Sequence, residues 1–145
     1  MFCEVFCRVL LGKHATTEDK ANRCCLLVCS ELKTRSAFVE MHWSVIIIGG
    51  GAAGFFAAIN AAEKGVGPIL ILESGTDVLS KVRISGGGRC NVTTGTRAVP
   101  EVLKAYPRGA RFLRQGLYDF GPADTWEWFS QRGVALKVEA DGRVF

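Results

Sequence analysis

Apolar and polar positions along the chain fall into two regimes. Up to residue 40, short apolar patches such as Val9–Leu11 and Cys25–Val28 alternate with charges and hold neither a helical nor a strand period. After Met41 the pattern sharpens. Val45–Ile48 is an unbroken β-branched run, Val-Ile-Ile-Ile, of the kind that forms a strand buried on both faces of a parallel sheet. Glycines follow, then an alanine-rich stretch from Ala52 to Lys64 that predicts a helix, with Gly65 as the residue that stops it. Pro68–Glu73 (Pro-Ile-Leu-Ile-Leu-Glu) predicts a second strand. Strand, turn, helix and strand in this order make a βαβ unit, with parallel strands and a right-handed crossover.

Further along, Ala110–Tyr118 and Pro122–Gln131 predict short helices, the second opening on proline and closing before Gly133. Val134–Phe145 predicts a hairpin turning at Asp141-Gly142, and the sequence stops inside its second strand. The fold class expected is therefore α/β: a Rossmann-like βαβ unit with a parallel sheet, incomplete, followed by short helices and a hairpin. Met41 reads as the natural start of this fold. Residues 1–40 are then expected to form a weakly structured extension outside it, with a targeting or regulatory leader as the competing reading. Residues 41–145 are expected to be the N-terminal portion of a dinucleotide-binding domain and the start of the region that follows it.

The turn between the first strand and the helix carries the first candidate chemistry. Gly49, Gly51 and Gly54 are spaced G-x-G-x-x-G, a weak signal alone in a chain with 17 glycines among 145 residues. Its context, with a strand before it, a helix after it and an acid at the end of the next strand, makes it strong. Gly49 turns the chain sharply out of the strand, Gly51 lets the backbone approach a pyrophosphate, and Gly54 lets helix and strand pack closely. Gly49, Gly50, Gly51, Ala52, Ala53 and Gly54 are thus candidate cofactor contacts, with the diphosphate seated at the helix N-terminus. Glu73 follows Gly54 by nineteen residues, near the position where an acid meets the adenosine ribose. A carboxylate there repels a 2′-phosphate, so NADP is disfavoured. FAD and NAD both fit.

Charge and cysteine usage narrow the partners. The net charge of +4 looks small and spread out, with no block of Lys or Arg of the kind that binds nucleic acid. No apolar run approaches the roughly 20 residues needed to cross a bilayer. Neither nucleic acid nor membrane is expected as a partner. Five of the six cysteines (Cys3, Cys7, Cys24, Cys25, Cys29) crowd into the first 30 residues. The spacings Cys3/Cys7 and Cys25/Cys29, with His14 and His42 nearby, raise a zinc site as an alternative. Reduced thiols in a weakly structured leader are the preferred reading, with no metal and a cytoplasmic location.

The most distinctive segment runs Lys81-Val-Arg83-Ile-Ser85-Gly86-Gly87-Gly88-Arg89-Cys90-Asn91-Val-Thr93. Three successive glycines give a backbone that can lie flat against a ligand, and Lys81, Arg83 and Arg89 add positive charge suited to a diphosphate. Taken together, VIIIGGGAAG (45–54), the acid at 73, Lys81 and ISGGGRCNVT (84–93) resemble the bacterial flavoproteins described as aminoacetone-oxidase-like or NAD(P)/FAD-dependent oxidoreductases. The resemblance covers about 41–145 and loosens through LYDFGPADTWEWF (117–129), GVALKVE (133–139) and GRVF (142–145). It implies FAD in an extended form, its pyrophosphate on Gly49–Gly54 and its ribose on Glu73. Lys81 and the loop of Gly86, Gly87, Gly88, Arg89, Cys90 and Asn91 would lie along the pyrophosphate and flavin. NAD(P)H is implied as an electron partner only for the full-length family. Two positions depart from the family pattern: Leu79 stands where Gly is frequent, and Thr94 where Asn is.

No catalytic acid, base or nucleophile can be assigned. Cys90 lacks a second cysteine between residues 41 and 145, so it reads as a small packed residue rather than half of a redox pair. The function expected is the FAD-binding portion of a flavin-dependent oxidoreductase acting on an unknown small-molecule substrate by hydride transfer through flavin N5. The alternatives are an NAD-dependent dehydrogenase domain and a truncated product without activity.

Overall fold

The computed structural model describes residues 24–28 and 42–145. They fall into two compact units, one ending at Ile84 and one running from Ser85 to Phe145, each with its own sheet.

The first unit contains strand β1 (Cys24–Val28), strand β2 (Val45–Ile48), helix α1 (Ala52–Glu63), strand β3 (Ile69–Glu73) and the short helix α2 (Ser80–Ile84). β2 and β3 pair in parallel, Val45 opposite Ile69 and Ile48 opposite Leu72. This is the expected βαβ unit. α1 runs along β3 through a stripe made of Gly54, Phe55, Ala58 and Ile59, all buried, on the sheet face that carries Ile69 and Ile71, both 0% exposed. The apolar positions at i, i+1, i+4 and i+5 give one continuous face, and its small residues, Gly54 and Ala58, bring helix and sheet close. Gly65 ends α1 in the left-handed region (φ +78). Its N–H donates to Ala62 O while that of Val66 donates to Ala61 O, closing the last turn.

One strand was not legible. The sequence pattern places residues 1–40 outside the fold, whereas Cys24–Val28 pairs in parallel with the other edge of β3, Cys24 opposite Ile69 and Val28 opposite Glu73. A lone βαβ unit leaves that edge of β3 with unpaired N–H and C=O groups, which a five-residue extended segment can satisfy. Such a strand is too short to show a period. The rest of residues 1–41, with Cys3, Cys7 and Cys29 of the zinc alternative, lies outside the described residues.

The second unit opens with a 3₁₀ turn (Ser85–Gly88) and continues through β4 (Thr93–Thr94), α3 (Val99–Lys104), α4 (Ala110–Asp119), α5 (Pro122–Gln131) and β5 (Arg143–Val144). α4 and α5 match the expected helices. α5 begins on Pro122 and is capped by Asp124, whose Oδ2 accepts the Gly121 N–H at 2.8 Å. α3 was not foreseen, because six residues are too few to display a helical stripe. The predicted hairpin is present over 137–145: Lys137 and Phe145 exchange backbone hydrogen bonds and the Gly142 N–H donates to Glu139 O. Its outer strand also pairs antiparallel with β4. Val102, Leu103, Trp128 and Val144 form the core of this unit. No helix among the described residues is long and apolar enough to cross a membrane.

Burial in the first sheet is one-sided at β2, where Ile46 and Ile48 are 53% and 80% exposed. Ile71→Ala should therefore cost about 2–4 kcal/mol, the usual range for emptying a filled core position. Ile48→Ala should change stability by less than about 0.5 kcal/mol. Denaturant titration of the two variants checks the contrast.

Candidate functional site

The glycine turn of the first unit is shaped by different constraints at each position. Gly49 has φ +103, a conformation that L side chains rarely adopt. A Cβ on Gly54 would overlap the carbonyl oxygen of Gly49, so the first turn of α1 touches the end of β2 with room for a hydrogen only. A Cβ on Gly50 would lie 2.8 Å from Val78 Cγ1 and 3.2 Å from Glu73 Cβ. Gly51 is different. Its dihedrals (φ −89, ψ −172) suit any residue, and a Cβ there would meet nothing within 4 Å. Neither backbone nor packing requires glycine at 51. Glycine there leaves the backbone open to close approach.

The helix beginning at that point is prepared for an anion. α1 has no side-chain cap at Gly51 and no acidic residue in its first turn. The N–H groups at the start of a helix have no acceptor within it, and those of Ala52 and Ala53 belong to exposed residues. With the dipole adding partial positive charge, this end suits the diphosphate expected there.

Glu73 closes the turn from the other strand. Its Oε2 accepts the Gly50 N–H at 2.7 Å and its Oε1 accepts the Gly75 N–H at 2.7 Å. The carboxylate thus braces the turn, a role the sequence reading did not give it. The N–H of Gly75, followed by that of Gly50, holds its pKa below the ordinary 4.5. The segment after Glu73 adds a second brace: the Leu79 N–H donates to Gly50 O at 2.8 Å. Leu79 sits at φ +54, a conformation that favours glycine. Left-handed backbone costs a non-glycine residue roughly 1–2 kcal/mol, while burying leucine contributes roughly 1.5–3. Leu79 is 2% exposed, so burial outweighs strain. Lys81 is exposed on α2, and Arg83 is paired with Asp77 at 3.2 Å.

The triple-glycine segment lies in the second unit, where much of it serves architecture. Gly86, Gly87 and Gly88 all have positive φ, and Cys90 joins them at φ +59. These left-handed positions favour glycine. A Cβ on Gly86 would press on Phe145 and Asn91, whereas Gly87 faces open space. Arg89 is not free for a phosphate: it pairs with Glu139 and stacks over the Phe145 ring at 4.1 Å. The Asn91 amide donates to Val144 O and Thr93 O, each at 3.0 Å. Cys90 is buried, and burial pushes its thiol pKa up, the opposite of a reactive thiolate. The same unit has an open cleft of about 420 Å³ between the β4 strand, α3–α5 and the 141–143 turn. Its Arg143 Nε donates to Asp141 at 2.6 Å and its Thr125 hydroxyl to Gly121 O, so its polar groups are turned on one another.

Residues 43–145 match the family model described as HI0933-like protein Rossmann domain. The chain belongs to that family. It is 37% identical over 95 residues to the 3-dehydro-bile acid delta(4,6)-reductase of Clostridium scindens, an alignment covering 63% of this chain and 22% of that protein. It is 31% identical over 104 residues to the ribosomal RNA dihydrouridine synthase of Escherichia coli K12, covering 72% of this chain and 25% of that one. The chain thus spans about a quarter of the length of these relatives. The expected family and fold class stand: this HI0933-like chain is a Rossmann-like portion of a flavin- or dinucleotide-dependent oxidoreductase family.

Gly54 and Gly51 differ in what a side chain would cost the fold. Gly54→Ala should destabilise the chain by more than about 2 kcal/mol, since the backbone itself must move, while Gly51→Ala should stay within about 1 kcal/mol. Thermal unfolding distinguishes them. For Glu73 the folded pKa is depressed, so the stability it contributes is complete above pH 4.5 and is lost as pH falls through the lowered value. The stability gap between the chain and Glu73→Gln should be constant above that pH and close below it, as read by unfolding across pH 3–7.

Proposed function

We propose that the chain holds FAD, with the pyrophosphate on Gly49–Gly54 at the N-terminus of α1 and the adenosine ribose on Glu73. The observation that carries this reading is Gly51, a glycine whose place in the fold would admit any side chain. The uncapped helix N-terminus beside it supplies N–H donors and the dipole for the diphosphate. Glu73 would exchange one backbone partner for ribose hydroxyls, which leaves the second brace at Leu79 to keep the turn in place. On the same reading Lys81 adds charge near the diphosphate. In the second unit Gly87 and Gly88 are exposed, while Gly86, Arg89, Cys90 and Asn91 hold their loop in shape.

Bound FAD would supply hydride transfer at N5 to or from a substrate. For the whole protein we propose a flavin-dependent oxidoreductase, with NAD(P)H as electron partner. The relatives' names place one on a bile acid and the other on ribosomal RNA, so a shared cofactor domain serves unlike substrates. The choice between them belongs to other parts of the protein.

Titration with FAD and with ADP-ribose, which carries only the adenosine and diphosphate moieties, tests the reading. The 145-residue chain is expected to bind both with Kd above about 1 μM, weaker than roughly −8 kcal/mol, since it presents about a quarter of the length of its relatives. Gly51→Val should lower both affinities at least tenfold with an unchanged circular dichroism spectrum. Affinity retained in Gly51→Val would refute the placement of the diphosphate.

A further inference from the structure

The net charge of the chain is not spread out. Between Arg97 and Tyr118 there are five cations (Arg97, Lys104, Arg108, Arg111, Arg114) and one anion (Glu101), a surplus of four that equals the +4 of the entire chain. Every other part of the sequence taken together is neutral. Within this stretch Lys104 is paired with Glu101 at 2.7 Å, and Arg97 lies over the Trp126 ring at 4.9 Å. Arg108, Arg111 and Arg114 are exposed and have no ion-pair partner among the described residues. They recur every third residue through the turn before α4 and along α4, rising about 4.5 Å per step where the chain is helical. Their place is costly for the helix: α4 has no acidic residue in its first turn, so cations stand at the positive end of its dipole uncompensated. Beside them Phe112 is 91% exposed and Tyr118 57%, although α4 has Leu113 and Leu117 to turn toward the rest of its unit. The one acid on α4, Asp119, accepts a hydrogen bond from Gln115.

We propose that this face, Arg108, Arg111 and Arg114 with Phe112, is a binding surface for single-stranded RNA. Cations in a row match a chain of phosphates, and a fully presented aromatic ring offers an unpaired base a stacking platform that polyanions without bases cannot use. A lipid surface would require the leucines of α4 to face outward, and Leu113 and Leu117 are half-buried. The sequence-based expectation of no nucleic-acid partner rested on the absence of contiguous basic residues. The helix gathers residues three apart onto one side, so contiguity is not needed. The surface is independent of the flavin reading, because none of its residues belongs to the glycine turns.

The test is fluorescence anisotropy of a labelled 20-nucleotide unstructured RNA with the 145-residue chain at 50–200 mM salt, without flavin. Binding should weaken with salt. Replacing the three arginines by glutamine should lower the slope of log K against log salt by about 2, from roughly 0.7 per lost phosphate contact. Replacing them by lysine should keep most of the slope. Phe112→Ala should weaken binding about five- to hundredfold, and heparin binding should be insensitive to it. All four positions are exposed, and circular dichroism checks each variant. Should the glutamine variant lose its fold, the lysine and Phe112→Ala variants still decide. No RNA binding at 50 mM salt, an unchanged slope in the glutamine variant, or an unaffected affinity in Phe112→Ala would each overturn the proposal. So would phosphatidylserine vesicles binding as tightly as RNA.

Discussion

The close contact between Gly54 and the carbonyl of Gly49 sets the geometry on which the first unit depends. With only a hydrogen between them, α1 leaves the end of β2 at a fixed angle, and its N-terminus opens on the exposed side of the turn rather than into the sheet. The same turn is then held from the neighbouring strand. Glu73 accepts the Gly50 N–H, and the chain beyond it returns to Gly50 O through Leu79. A strand end, a helix start and a loop are thereby locked together around six residues, of which Gly51 combines open space above it with a backbone conformation open to any side chain.

In the second unit an equivalent lock is built from different parts. The left-handed backbone at Gly86, Gly87, Gly88 and Cys90 would be strained in most sequences. It is secured by Arg89 on Glu139 and Phe145, by Asn91 on Val144, and by the Cys90 N–H donating to Ser85 O at 3.0 Å. The Arg89–Glu139 pair is half-exposed, so its worth lies in geometry more than in energy. The distant end of the sequence, residues 139–145, thus shapes the loop at 86–91. This explains why the motif's charged and polar residues are occupied with the protein itself.

How far the sequence foretold this varies with range. The βαβ unit was legible because β-branched runs, an alanine-rich helix and punctuating glycines are local signals. The turn geometry of the glycines was legible for the same reason, with Gly49 at positive φ and Gly54 against the Gly49 carbonyl. What could not be read were relations between distant positions: the pairing of Cys24–Val28 with β3, the bracing role of Glu73, and the engagement of Arg89 and Asn91 by the final hairpin. Leu79 is instructive. Its departure from the family's glycine was visible, but only its positive φ together with its burial shows why a leucine can stand there. The charge surplus of Arg97–Tyr118 was countable from the start, yet its meaning emerged only when α4 set its arginines side by side.

The central claim is that a dinucleotide diphosphate rests on the turn at Gly51 and the first residues of α1. Nitrogen–proton correlation spectra recorded while the labelled chain is titrated with FAD address it most directly. The account predicts saturable shifts largest at the amides of Gly51, Ala52 and Ala53, with smaller ones at Gly50 and Gly75 as Glu73 changes partners. Shifts confined to other residues, with these amides unmoved at saturation, would contradict it.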